Sequence, residues 1–345
     1  MGFFSSRKTE SKNTPVVVNA HTVEEAAMDA VLSQQAEEAE VVERVTEPEP
    51  PAPEPKEAPE AAAPAPGPVD ENGRLRTYKD KLPVTHVVGS TKIVAILNQK
   101  GGVGKSTTAI NLSAALGEMG KQVLMVDLDP QANSTSGIGI AQNLVTKSIY
   151  DVLLADDAAG MSLDQVIIPD VCPGVDVVPS HIDLAGAELE LVSQFARESR
   201  LKNALWAFKG KYDYIFIDCP PSLGLLTVNA LVAANKVLTP IQCEFYALEG
   251  VTKLLKTMNR VKNALNSELG MLGIVLTMTQ RTKLSKDVVD EVRNHFGNLV
   301  FDTVIPRAVV IAEAPSYGKP ITQYAPDSKG AKAYISLAKE VIERG

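Results

Sequence analysis

One octapeptide constrains this chain more than any other stretch: Lys-Gly-Gly-Val-Gly-Lys-Ser-Thr at residues 100–107. Upstream, Lys92-Ile-Val-Ala-Ile-Leu-Asn98 is an apolar run of strand length. Downstream, the residues from Thr107 read as a helix. Strand, glycine loop and helix together are the setting in which a phosphate-binding loop works. Glycines let successive backbone N–H groups close around phosphate oxygens, and the helix N-terminus faces the anion. The octapeptide fits G-x-x-x-x-G-K-[ST] only with one glycine shifted, and an extra lysine, Lys100, stands at its head. Gly101, Gly102, Val103, Gly104, Lys105, Ser106 and Thr107 then form the cradle with Lys100. Lys105 is placed to reach the β- and γ-phosphates of a nucleotide, and the Ser106 hydroxyl to serve Mg²⁺.

From Thr91 onward, strand-like and helix-like segments alternate. The candidate strands are Ile93–Leu97, Val123–Val126, Val175–Val178, Tyr214–Ile217, Lys236–Pro240, Leu272–Thr277 and Val304–Ile305. Several are unbroken Val/Ile/Leu runs, the pattern of strands covered on both faces. Helical patterns fill the intervals, as at Leu248–Leu265 and Ser285–Phe296. The expected fold is a doubly wound, mostly parallel α/β sheet with helices on both faces.

Ligands of such sheets bind at the carboxyl ends of strands, and three polar clusters fall there. The first is the loop after Asn98. The second is Val126-Asp-Leu-Asp-Pro-Gln-Ala-Asn133. The third is Tyr214-Ile-Phe-Ile-Asp-Cys-Pro-Pro221, where Asp218 ends an apolar strand in the manner of a Walker B carboxylate that holds Mg²⁺. A capping role is the plain alternative for Asp218. Asp127 and Asp129 stand two apart and share a side of an extended segment. One of them orients an attacking water or holds the metal shell, and residue type alone does not say which.

Residues 1–88 differ from the rest. Nine prolines lie between positions 48 and 68, and twelve acidic against two basic residues between 24 and 60. Such a stretch holds too little apolar surface to offset chain entropy, so disorder is expected over 1–88, with a weak amphipathic helix pattern at Val23–Val45. Residues 89–345 form the expected folded domain. Sixteen acidic and nine basic residues give the first 88 positions a net charge of −7 out of −8 for the chain. The folded part is therefore nearly neutral, and any DNA-binding surface on it must be a local basic patch. The three cysteines show no ligand spacing and suit a reducing, cytoplasmic compartment. No apolar run approaches the ~18 residues of a membrane span. The N-terminal Met1-Gly-Phe-Phe-Ser-Ser6 fits a myristoylation pattern only formally.

These motifs resemble the ParA/Soj family of DNA-partitioning ATPases, within the variant phosphate-loop group that includes MinD. The resemblance runs from about Lys92 to Glu343 and adds Pro240–Gly250, Ile305-Pro-Arg307, Glu313–Ser316 and Gly318–Pro320 to the blocks above. It implies ATP and Mg²⁺ as cofactors and an ATP-dependent sandwich homodimer. It also implies non-specific double-stranded DNA and a ParB-like centromere-binding protein as partners, and a cytoplasmic, nucleoid-associated location without stable membrane attachment. By the same resemblance Lys100 crosses the dimer to the partner's phosphates, Asp129 is the switch carboxylate needed for hydrolysis, and Asp218 is the Walker B residue. Arg281 is similar to a family arginine used for DNA. A second such arginine is replaced here by Val310, which shifts the expectation towards Lys283, Lys319 and Lys332, with Lys286 and Lys329 as further candidates. The proline-rich extension is no operator-binding helix-turn-helix. Rival readings are a MinD-like division-site ATPase, an iron–sulfur carrier or a tyrosine kinase on the same fold, and a ParA-like ATPase that positions another cargo. The MinD reading wants a basic amphipathic helix after the last core helix, and Ala331–Arg344 reads as that core helix.

Overall fold

The computed structural model describes residues 68–78, 90–155, 161–244 and 247–344. Eight strands form one sheet in the order β3-β4-β2-β5-β1-β6-β7-β8. They are β1 (Lys92–Ile96), β2 (Val123–Asp127), β3 (Ile168–Cys172), β4 (Val175–Val178), β5 (Tyr214–Asp218), β6 (Lys236–Gln242), β7 (Gly270–Thr279) and β8 (Val300–Pro306). Every neighbouring pair is parallel except β3 with β4. The central strands β1, β2 and β5 carry almost wholly buried residues, as strands with helices on both faces must.

One apolar layer lies between the sheet and helices that include Ile149–Leu154, Arg200–Trp206 and Leu225–Ala233. The opposite layer holds the phosphate-loop helix Lys105–Glu118 and the helix Lys329–Arg344, with Leu112, Leu116, Tyr334 and Leu337 at its centre. The expected doubly wound arrangement is thus present. Chain direction reverses about β1: the chain runs from β1 to β2 on one side, and from β5 to β6 across β1 to the other. That crossover opens a crevice beyond the carboxyl end of β1, where ligands of such folds bind.

The periodicity missed β3. Ile168-Pro-Asp-Val-Cys172 interrupts its apolar pattern with Pro169 and Asp170, and the pairing register with β4 shifts between Ile168 and Cys172. Asp170 has φ 50°, and its N–H donates to Asp176 Oδ1 at 2.9 Å. An edge strand tolerates such a proline and bulge. The available signal was Pro173-Gly174 between two apolar runs, a hairpin turn with Gly174 at φ 71°. The strand expected at Val304–Ile305 is longer, Val300–Pro306, and the helix expected from Ser285 starts at Lys283, capped by Thr282 Oγ1 accepting from Ser285 N–H.

Most of the stretch expected to be disordered, including Val23–Val45, lies outside the described residues. Positions 68–78 do not. They form a turn in which Asp70 Oδ1 accepts from the N–H groups of Asn72 and Arg74, with a bridge between Val69 and Leu75. Leu75 packs onto the layer beneath the phosphate-loop helix. Tyr78 sets its ring edge-on to Phe208 at 5.7 Å, and Lys211 Nζ sits 4.5 Å from the Phe208 ring. This strap belongs to the folded unit, ahead of the boundary that composition suggested at residue 88. Replacing Tyr78→Ala should therefore cost about 1–3 kcal/mol of unfolding free energy. Urea titration of the full chain measures it; an unchanged midpoint would mean the strap carries no stability.

Candidate nucleotide-binding site

The loop after β1 is held from below. Asn98 is buried; its Nδ2 donates to Pro240 O at 2.8 Å and its Oδ1 accepts from Lys100 N–H at 3.0 Å. Thr277 Oγ1 donates to Val103 O at 2.9 Å, tying the loop floor to β7. Gly102 and Gly104 take φ of 75° and 88°, a left-handed backbone that side chains resist. No side chain caps the helix that starts at Lys105, so its first-turn N–H groups are left for an outside acceptor. The Lys105 chain folds back until Nζ lies 3.4 Å from Lys100 O. Its burial depresses the ammonium pKa, while Asp218 and Asp129 favour the charge.

Two carboxylates meet beneath the loop. Asp127 and Asp218 are register partners at the ends of β2 and β5, and both are fully buried. Asp127 is consumed by the protein: its Oδ2 accepts from Thr135 N–H and Oγ1 at 2.8 and 2.7 Å, and its Oδ1 from Asp129 N–H at 3.2 Å. Asp218 Oδ2 accepts from Ser134 Oγ at 2.6 Å; its Oδ1, beside the Ser106 hydroxyl, is buried without a well-formed hydrogen bond among the described residues. A buried acceptor left open beside Ser106 fits a hydrated Mg²⁺. Burial, then the Asp218 charge, pushes Asp127 up to about 8. Burial pushes Asp218 up to about 6, with the Ser134 and Ser106 hydroxyls and Lys105 pulling it back.

Asp129 stands apart from this pair. It lines a cavity of about 560 Å³ together with Gly101, Gly102, Lys105, Ser106 and Thr107. The two carboxylates thus differ in surroundings: Asp127 is hydrogen-bonded within the protein, and Asp129 lines the cavity. A second cavity of about 650 Å³ shares Gly104, Thr107 and Met278 with the first and adds Ile305, Pro306 and Ala308. Met278, which lines both cavities, holds φ of 53°, and Ala132, between the cavity-lining Gln131 and Asn133, holds 51°, a left-handed backbone that costs strain outside glycine.

Lys100 is not among the residues lining the phosphate cavity. Its Nζ pairs with the Glu244 carboxylate on the segment after β6. Arg281 and Lys283 are exposed just past β7. Arg307, also exposed, follows β8, and its N–H donates to Thr279 O at 3.0 Å, so the two arginines leave adjacent strand ends. Lys319 and Lys332 are exposed on other elements, the turn before Pro320 and the last helix. Val310 packs against the apolar layer. Cys172 and Cys219 lie in opposite layers, and no described helix is long and apolar enough to cross a membrane. Sequence reasoning missed Asn98, Ser134, Thr135, Ser180, Thr277, Glu244 and Arg307. Ser134 and Thr135 directly follow the block it had marked, and Ser180 and Thr277 sit at strand ends, where polar residues were the signal.

A phosphate loop at the crossover of a doubly wound sheet, with carboxylates closing the ends of β2 and β5, defines a P-loop nucleotide-hydrolysing protein. Residues 91–271 match the family model described as an AAA domain. The sporulation initiation inhibitor protein Soj of Bacillus subtilis is 53% identical over 255 residues, 74% of this chain and 99% of that protein. The chromosome partitioning protein ParA of Myxococcus xanthus is 50% identical over 254 residues, 73% of this chain and 88% of that protein. Among solved structures, cobyrinic acid a,c-diamide synthase of Mycobacterium smegmatis, with bound ADP and magnesium, superimposes with a TM-score of 0.64 at 38% identity over 73% of this chain and 94% of that one. The septum site-determining protein MinD of Pyrococcus horikoshii, complexed with Mg-ADP, gives 0.60 at 31% identity over 73% and 96%. The chain belongs to the ParA/Soj family of chromosome-partitioning ATPases.

The carboxylate pair predicts a pH dependence. A carboxyl whose pKa is raised on folding stabilises the fold while protonated, and that stability is lost as pH climbs from the ordinary carboxylate range to the folded value, here about 8 for Asp127. Nucleotide-free protein with chelator should thus be less stable at pH 8 than at pH 5.5. Asp127→Asn should lose less stability across that interval. Urea midpoints at the two pH values check this, and parallel losses in both proteins would refute it.

Proposed function

We propose that this chain is an ATP-driven DNA-partitioning switch. ATP binding drives a homodimer, the dimer holds nucleoid DNA without reading sequence, and a ParB-like partner triggers hydrolysis and release. The observation that carries the reading is the division of labour between two lysines of one loop. Lys105 serves the chain's own cavity, while Lys100 turns out of it towards Glu244. A lysine that heads a phosphate loop yet points elsewhere suits a partner's phosphates, which couples nucleotide occupancy to dimerisation.

Within one copy, backbone N–H groups of Gly101–Thr107 hold the phosphate oxygens and Lys105 offsets charge at the β/γ bridge. Ser106 and Asp218 are the residues that would hold Mg²⁺, which when bound neutralises phosphate charge. Asp129, held by donation from Gln131 N–H to its Oδ1 at 3.0 Å, keeps its place at the cavity wall to orient the attacking water. Arg281 and Lys283, with Arg307 beside them, offer a basic strand-end surface for DNA phosphates, and Lys319 and Lys332 are further exposed cations on other elements. A nearly neutral domain gains from dimerisation because two such surfaces act together.

Lys105→Ala should abolish ATP binding by at least about a hundredfold, the loss of a charge-assisted phosphate contact. Lys100→Ala should still bind nucleotide but lose partner-stimulated turnover. Asp129→Ala should instead accumulate an ATP-bound dimer on DNA. Sedimentation with ATP separates the last two; a monomeric, fully active Asp129→Ala protein would overturn the roles.

Arg281→Glu should weaken binding to every duplex alike and leave ATP-dependent dimerisation intact. Electrophoretic titration on unrelated DNA sequences, repeated at two salt concentrations, provides the check. A footprint at one sequence, or undiminished affinity, would contradict a phosphate-directed contact.

A further inference from the structure

The segment that follows β4 is apolar on both sides. Leu184, Ala187 and Leu191 face inward and are fully buried. Ile182, Leu189, Val192 and Phe195 face outward, with Leu189 and Phe195 at 80% and 88% exposure. Leu189 and Val192, three apart, share a side of the helical run Leu184–Ser193, with Ile182 just ahead of the run and Phe195 just beyond it. Solvent-facing aliphatic and aromatic side chains in such a row mark an interaction surface.

The charge around the row selects its occupant. Arg197 pairs with Glu198; among the described residues Asp183, Glu188 and Glu190 have no lysine or arginine partner, their contacts being His181, the Leu226 N–H and the Tyr150 hydroxyl. A DNA backbone is repelled by that rim. A second copy meeting the row with its own row would set like charges against each other, which is unfavourable for an isologous contact. A cationic segment with apolar anchors meets both features.

The row is also wired to the hydrolytic loop. Ser180, two residues before Ile182, donates from its N–H to Thr135 Oγ1 at 3.0 Å and from its Oγ to Asp129 O at 2.7 Å. Thr135 in turn holds Asp127. On the far side, Glu188 reaches the N–H of Leu226, at the head of the helix that follows the Asp218 loop. A ligand that shifts the 181–195 segment therefore pulls on the backbone that places Asp129.

We propose that the outward face of residues 182–195 is the docking surface for a cationic, apolar-anchored segment of the ParB-like partner, and that Ser180 passes its binding to Asp129. This rests on the partitioning function proposed above. Ser180 acts as a positioning residue, since it touches Asp129 and not the substrate.

The test measures ATP turnover of the full chain against rising concentrations of the purified ParB-like protein of the same cell. Leu189→Ser/Phe195→Ser, two exposed positions, should leave unstimulated turnover and ATP-dependent sedimentation unchanged and raise the half-saturating partner concentration at least tenfold. Glu190→Lys should raise it too. Ser180→Ala should keep the half-saturating concentration and lower the maximal stimulation. Equal half-saturation in the double variant would overturn the docking surface while the partitioning function stands. Loss of the ATP-dependent dimer in that variant would also overturn it, by placing the face between copies. A maximal stimulation unchanged in Ser180→Ala would overturn the transmission step. A wild-type chain that the partner does not stimulate would refute both the docking surface and the partitioning function.

Discussion

Two buried carboxylates side by side are the constraint around which this molecule is arranged. Asp127 and Asp218 end neighbouring parallel strands, and parallel register forces them together. Each group set around them answers their repulsion. Thr135 and the Asp129 N–H saturate Asp127. Ser134 takes one oxygen of Asp218, and Lys105 lends it positive charge. What remains, among the described residues, is one Asp218 oxygen without a well-formed hydrogen bond. A hydrated Mg²⁺ beside that oxygen would supply the donor it lacks.

The glycine loop and the loops after β2, β4 and β5 are then parts of one mechanical unit. Asn98 and Thr277 clamp the phosphate loop to β6 and β7, the non-carboxylate half of the sheet. Ser180 clamps the Asp129 loop to the segment after β4. Strained backbone at Ala132 and Met278 lies at the junctions of these loops with the cavities. The cavity wall is thus set by contacts from both halves of the sheet, and a shift on either side alters the geometry offered to the terminal phosphate.

Much of this is legible in the amino-acid sequence. The unbroken apolar strands, the glycine loop and the aspartates at strand ends encode fold and ligand position through local pattern, because strand burial and loop chemistry are short-range properties. Pairings between distant segments were not legible. Nothing in Asp127 and Asp129 as residues separates the carboxylate held within the protein from the one lining the cavity; the separation comes from Thr135, eight residues on, folding back. Glu244 meets Lys100 across 144 positions, and no periodicity announces such a contact. Strand β3 was hidden because an edge position tolerates the proline and the bulge that a central strand would reject. The strap at 68–78 was hidden because two anchoring side chains, Leu75 and Tyr78, are too few to alter the composition around them.

That strap also fixes polarity. Tyr78 docks on Phe208, which stacks on Tyr212 just ahead of β5, so the strap is pinned at the amino edge of the sheet. The phosphate loop, Arg281 and Arg307 occupy the carboxyl edge. A five-residue strand separates the edges, roughly 17 Å, about twice the distance over which physiological salt screens charge. The chain ahead of β1 is therefore anchored through Tyr78 on the side remote from the phosphate loop, which makes a fluorescent reporter joined ahead of residue 68 the gentler label for watching the molecule in cells.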